Sequence, residues 1–97
     1  MFNSGISENV LQEIENLAMQ YGLDRVILFG SRARGDYRRT SDIDLAVWGG
    51  DIARFAVDVE EETSTLLKFD IVDMNSAVQP ELVQSVEQEG KVLYEKI

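Results

Sequence analysis

The chain reads as an α/β domain: a small mixed sheet with helices packed mainly on one face. Two observations predict this. Apolar residues recur at helical spacing near the beginning, middle and end of the chain, while short runs rich in branched residues, 25–29, 43–48 and 69–74, lie between them. Helical and strand-like segments therefore alternate, the pattern of a sheet with helices laid against it. At 97 residues and 44% hydrophobic, the sequence supports one domain over residues 1–97 with its own core.

Ser7 followed by Glu8 reads as a helix start, a capping hydroxyl with an acid at the positive end of the helix dipole. Val10, Leu11, Ile14, Leu17, Ala18 and Tyr21 form the apolar stripe, and Gly22 suits the position after the last turn, so a helix is predicted over 8–21. Arg25–Phe29 is a buried strand. The segment Gly30–Thr40 is polar and punctuated by glycine, a loop with room for one helical turn after Ser31. Ile43–Trp48 is the second strand, ended by Gly49 and Gly50. Asp51 caps a helix with the stripe Ile52, Phe55, Ala56, Val59 and Leu66, and Glu60, Glu61 and Glu62 lie on its wet face. Phe69–Met74 is the third strand. Asn75 or Ser76 is expected to cap the last helix, with Pro80 in its first turn and Leu82, Val83 and Val86 facing inward. Gly90 stops that helix, and Lys91–Tyr94 adds a short final strand.

Composition removes several kinds of chemistry. The sequence has no cysteine and no histidine, so disulfides, thiolate catalysis and histidine-bound metals are excluded, and acid–base work falls to carboxylates. No apolar run approaches membrane-spanning length and residues 1–7 lack the features of a signal peptide, which makes a cytoplasmic location the default expectation. Eighteen acidic against nine basic side chains leave a net charge of −9, which argues against stable binding to nucleic acid. Arg32, Arg34, Arg38 and Arg39 nonetheless cluster in the loop after the first strand. A cationic loop on an anionic protein suits a phosphate-bearing small ligand or a matched partner surface.

The chemistry concentrates between residues 30 and 44. Gly30 and Ser31 follow the first strand, ten residues separate Ser31 from Asp42, and Asp44 lies two positions further on. Side chains on a strand alternate faces, so Asp42 and Asp44 point the same way at the beginning of the second strand. Two carboxylates so close repel unless a proton or a cation intervenes. Mg²⁺ takes oxygen ligands from one or two carboxylates plus substrate phosphates, and a Gly-Ser turn nearby is suited to hold those phosphates. The third strand adds Asp70 and Asp73, three positions apart and hence on opposite faces; Asp70, between Phe69 and Ile71, is the better candidate to join the pair, and Asp73 reads as a turn residue. Trp48 falls on the face of Asp44, beside the nucleotide, in the core or at a partner contact.

A lone acidic pair or a lone Gly-Ser is common by chance. Gly30-Ser31, ten residues, Asp42-Ile43-Asp44 and a later strand acid at Asp70 together resemble the polymerase-β-type nucleotidyltransferase superfamily, over nearly the whole chain. The short length and the tail from Asn75 to Glu95 are similar to its minimal nucleotidyltransferase (MNT) branch. The resemblance implies a polymerase-β palm-like fold in which Asp42, Asp44 and Asp70 bind two Mg²⁺ ions, or Mn²⁺ in their place. By the same resemblance, Gly30 and Ser31 hold the phosphates of ATP, and Arg32 and Arg34 beside them are placed to contact the triphosphate or a partner. Family members transfer AMP from ATP to a tyrosine of a helical HEPN-type RNase toxin, which they neutralise. Two other readings stand beside this one: an antitoxin that binds and masks its partner without catalysis, and a nucleotidyltransferase acting on a small molecule.

Overall fold

The computed structural model describes residues 3–97. In chain order the elements are α1 (Glu8–Gln20), β1 (Arg25–Phe29), α2 (Ser31–Arg34), β2 (Ile43–Trp48), α3 (Ile52–Glu62), β3 (Phe69–Asp73), α4 (Pro80–Glu89) and β4 (Lys91–Glu95). Local chemistry explains most boundaries. Ser7 Oγ accepts from Val10 N–H at 3.2 Å to open α1, and Asp51 Oδ1 accepts from Arg54 N–H at 3.2 Å to open α3. Pro80 begins α4 as expected, but Gln79 is its cap residue and offers no side-chain bond. Asn75, expected as that cap, is engaged elsewhere. Its Oδ1 accepts from Gly49 N–H at 3.2 Å and ties the end of β2 to the turn after β3.

The four strands form one mixed sheet in the order β3-β2-β1-β4. β1 runs antiparallel to both β2 and β4, whereas β2 and β3 are parallel, with α3 as the crossover between them. Alternation along the strands divides the core. Val26, Leu28, Ile43, Leu45 and Val47 face α1 and α3, where they bury Val10, Ile14, Leu17, Phe55 and Val59. On the opposite face Phe29, Ala46 and Val86 make a thinner layer with Ile27, Trp48, Val72, Met74 and Leu82 at its margin, so α4 covers the sheet from the other side. The helices α1 and α3 share one face, and the hydrophobic stripe of α4 alone does not say which face it will cover.

One core prediction fails. Leu66 was expected in the stripe of α3, but that helix ends at Glu62 and Thr63 turns extended. The following loop is pinned to α1, because Ser64 donates to the Glu13 carboxylate from both its backbone N–H, at 2.8 Å, and its hydroxyl, at 2.7 Å. Leu66 is left 104% exposed. Helical periodicity alone does not register a chain that leaves its helix one turn early.

Candidate active site

β1 ends where β2 and β3 begin, so Gly30, Asp42, Asp44 and Asp70 gather at one end of the sheet. Register makes this specific: Phe29 stands opposite Asp44, and Asp44 stands opposite Asp70. Paired residues on adjacent strands project from the same face, which puts the Asp44 and Asp70 carboxylates side by side. Asp42 lies two residues earlier on the β2 chain and is exposed. Asp73 pairs with Val47 instead, on the other face, and its Oδ1 accepts from Asn75 N–H at 2.8 Å. It is a turn residue, as its position in the sequence suggested.

Gly30 has φ 76° and ψ −159°, a conformation open to glycine and strained for other residues. Its hydrogen side is also occupied, since a Cβ there would stand 2.2 Å from Asp44 Oδ2. The turn therefore presses its backbone against the central acid. Gly30 C=O accepts from Ala33 N–H at 3.1 Å and Arg34 N–H at 3.0 Å, which winds Ser31–Arg34 into the single helical turn α2. Ser31 opens that turn, half-buried, directly after the glycine that packs on Asp44.

Burial first, then the charge of Asp70, then that of Asp42, push the Asp44 carboxyl up to about 6, with Arg34 opposing the shift. The like charges are thus close enough to disfavour one another's ionisation. Among the described residues no three acids or histidines are drawn tightly enough together to form a ready-made cage. The donor set is nevertheless that of a hard divalent ion: carboxylate oxygens alone, with an excess of negative charge around Asp44. The residues that would hold such an ion are Asp44 and Asp70, in register, and Asp42, whose exposed side chain is free to turn toward them.

The two arginines of the motif part company. Arg34 stays near the acids on the surface, where Nη1 donates to both Glu89 oxygens at 3.1 and 2.9 Å and Nε to Asp36 Oδ2 at 3.2 Å. Arg32, expected at the triphosphate, is only 2% exposed and is not brought to the site. Its guanidinium donates to the carbonyls of Ser4 at 2.9 Å, Ser41 at 3.0 Å, Arg39 at 3.2 Å and Arg38 at 3.4 Å. It also lies over the Tyr37 ring, 4.8 Å from the centroid. A planar fork with five donors is suited to gathering carbonyls in this way. Arg32 therefore ties the loop between the Gly30-Ser31 turn and Asp42 into one body. Trp48 stands at the far end of β2, under the Arg25 guanidinium at 5.2 Å and roughly 13 Å along the strand from Asp44. It is not beside the acids.

Two residues at this end escaped the reading of the sequence. Glu89 reaches Arg34 across 55 positions, and nothing local announces that pairing. Lys68 precedes β3, and its carbonyl accepts from Ile43 N–H at 2.8 Å, beside Asp42. Strand alternation from Asp70 was a usable signal for Lys68.

A mixed sheet that sets two carboxylates in register under a Gly-Ser turn, with a third acid just ahead, defines a nucleotidyltransferase. The chain belongs to the family described as polymerase beta, nucleotidyltransferase, whose pattern matches residues 12–97. It is 37% identical over 82 residues to a Methanocaldococcus jannaschii protein classed as a protein adenylyltransferase, covering 74% of this chain and 79% of that one. Among solved structures it is similar to a toxin–antitoxin complex crystallised with AMP-PNP, at a TM-score of 0.73 and 30% identity over 89% of this chain and 73% of that chain. It is also similar to a chain in the complex of the tri-AMPylated HEPN toxin of Shewanella oneidensis with MNT antitoxin. That match has a TM-score of 0.58 and 26% identity, with 89% of this chain and 73% of the other covered. The structural neighbours thus include MNT antitoxins paired with HEPN toxins. Among the described residues no helix is long and apolar enough to cross a membrane.

Proposed function

We propose that this nucleotidyltransferase is an antitoxin that uses Mg²⁺ to move AMP from ATP onto a hydroxyl, a tyrosine, of a helical HEPN-type toxin. The register of Asp44 with Asp70 beneath Gly30 carries the reading. The AMPylated toxin in a neighbouring complex supports the choice of product and partner.

In this reading Gly30 admits the triphosphate against the backbone, and Ser31 donates a hydrogen bond to a phosphate oxygen. Arg34, already fixed by Glu89 and Asp36, supplies positive charge on the phosphate side. Asp42, Asp44 and Asp70 hold the divalent ions, and Asp70, on the outer strand, lies nearest the incoming hydroxyl. Bound there, such ions neutralise charge on the triphosphate and make the acceptor hydroxyl easier to deprotonate. Arg32 acts at a distance, by keeping the loop from Ser31 to Asp42 in one shape.

Incubating the chain with labelled ATP, Mg²⁺ and a HEPN-type toxin from the same organism should label that toxin. Replacing Asp42→Asn together with Asp44→Asn should reduce labelling roughly a thousandfold or more, because several kcal/mol of charge stabilisation are lost. If the double variant still protects cells from the toxin, masking rather than transfer neutralises it.

A further inference from the structure

Leu66 projects from a tethered loop beside Asp42, at the end of the sheet that carries the acids. Leu66 is 104% exposed, yet the loop that carries it is held on both sides. Ser64 is anchored to Glu13 as described, Leu67 N–H donates to Thr65 Oγ1 at 3.1 Å, and Phe69 N–H donates to Glu60 Oε1 at 2.8 Å. The loop is a built platform that presents Leu66 outward. It walls a hollow of about 530 Å³ together with Thr40, Asp42, Leu67 and Lys68. The hollow mixes two apolar side chains with one ammonium and one catalytic acid.

Its position relative to the phosphate turn matters more. Sheet order puts β1, β2 and β3 side by side, with Gly30 at the end of β1 and Lys68 just before β3. The turn and the hollow thus lie on opposite sides of Asp44, about 10 Å apart at two strand spacings. In an in-line displacement the attacking and leaving oxygens occupy opposite sides of the phosphorus. Pyrophosphate held at Gly30 and Ser31 leaves the acceptor only the β3 side.

We infer that the hollow between Thr40 and Leu66–Lys68 receives the acceptor side chain of the partner protein, an aromatic hydroxyl. This rests on the transfer reaction proposed above. Leu66 and Leu67 bury the flat apolar body of the side chain, and Lys68 faces the oxygen as it gains negative charge. That oxygen forms the new bond to the α-phosphorus while the bond from that phosphorus to the oxygen bridging the α- and β-phosphates breaks. The electron pair of the broken bond leaves with pyrophosphate, and the hydroxyl proton passes to a carboxylate or to water.

The test uses the full chain, AMP-PNP and a HEPN-type toxin from the same organism. Leu66→Ser should raise both the Kd and the KM for that protein about tenfold or more, the effect of exposing one leucine contact. AMP-PNP affinity should stay within about twofold, since the phosphates are held at Gly30 and Ser31, on the other side of Asp44 from Leu66. Lys68→Ala should lower kcat and Lys68→Arg restore it, and the bound partner should shield Lys68 from acetylation. Unchanged partner affinity in Leu66→Ser, or a loss of AMP-PNP binding instead, overturns the inference. So does a wild-type chain with no affinity for the partner. A wild-type chain that binds the partner and shields Lys68 yet transfers nothing counts against the proposed reaction and leaves this surface standing.

Discussion

On one face of the sheet Val26, Leu28, Ile43, Leu45 and Val47 are fully shielded by α1 and α3. On the other, Phe29, Ala46 and Val86 are the buried residues of the thinner cluster, and Asp44 and Asp70 occupy the uncovered end. The two faces interleave residue by residue along Ile43–Trp48. A strand can carry mutually repelling acids on one side because its other side is locked by dry, well-packed contacts. Stability and chemistry are thereby separated by the pleat rather than by distance along the chain.

The contrast breaks most sharply at Phe55, which is fully buried under the α3 side of the sheet. Phe55→Ala should cost about 3–5 kcal/mol of stability in urea unfolding, a large share of what so small a domain has. Metal and nucleotide affinity of the molecules that remain folded should be unaltered. Loss of affinity at full folding would show that the two faces are not separable.

A smaller effect is expected at Arg32, where the structural and chemical regions meet. Arg32→Leu removes the donor from one buried and three part-buried carbonyls and should cost about 2–3 kcal/mol, because the Ser4 carbonyl is left without a partner and the loop loses its tether. Arg34→Ala, by contrast, breaks only water-screened surface ion pairs, so it should barely move the unfolding midpoint and should show its effect in nucleotide affinity. Equal unfolding midpoints for the two variants would refute this division of labour.

The smallest expected change concerns pH. An Asp in the unfolded chain titrates near 4, whereas Asp44 in the fold is pushed up to about 6. Between those values the folded state holds a proton that the unfolded state has released. The metal-free protein should therefore lose stability as pH rises through this window, and the full penalty persists above it. Asp44→Asn cannot ionise, so its melting temperature in chelator should exceed that of the wild type by a few degrees above pH 6. Below about pH 4 that advantage should vanish, because the wild-type carboxyl is then protonated in both states. Thermal melts of both proteins across this range decide it.

Particular residues show how far the one-dimensional pattern reaches. Ser7, Asp51 and Pro80 mark helix starts by local hydrogen bonding or a fixed φ, and these marks were readable. Period-two alternation paired Asp42 with Asp44 and separated Asp70 from Asp73, and the apolar neighbours of Asp70 favoured it for the cluster; the parallel register of β2 with β3 then set Asp70 beside Asp44. Arg32 and Arg34 show the limit. They look alike in sequence, two positions apart, yet one is sealed among carbonyls and the other rides on the surface against Glu89. Leu66 shows it again, since a helical stripe continued on paper where the chain had already turned away.

The order of strands and helices, the glycine corner and the shared facing of Asp42 and Asp44 follow from interactions within a few residues of each group, so sequence alone determined them. Which strand lies beside which, which face α4 closes, and which arginine is buried were decided by the assembled fold. Those outcomes depend on hydrogen bonds and packing between segments far apart in the chain, such as Arg34 with Glu89 and Ser64 with Glu13. Such contacts leave no periodic trace in the sequence, because either partner taken alone is an ordinary surface polar residue.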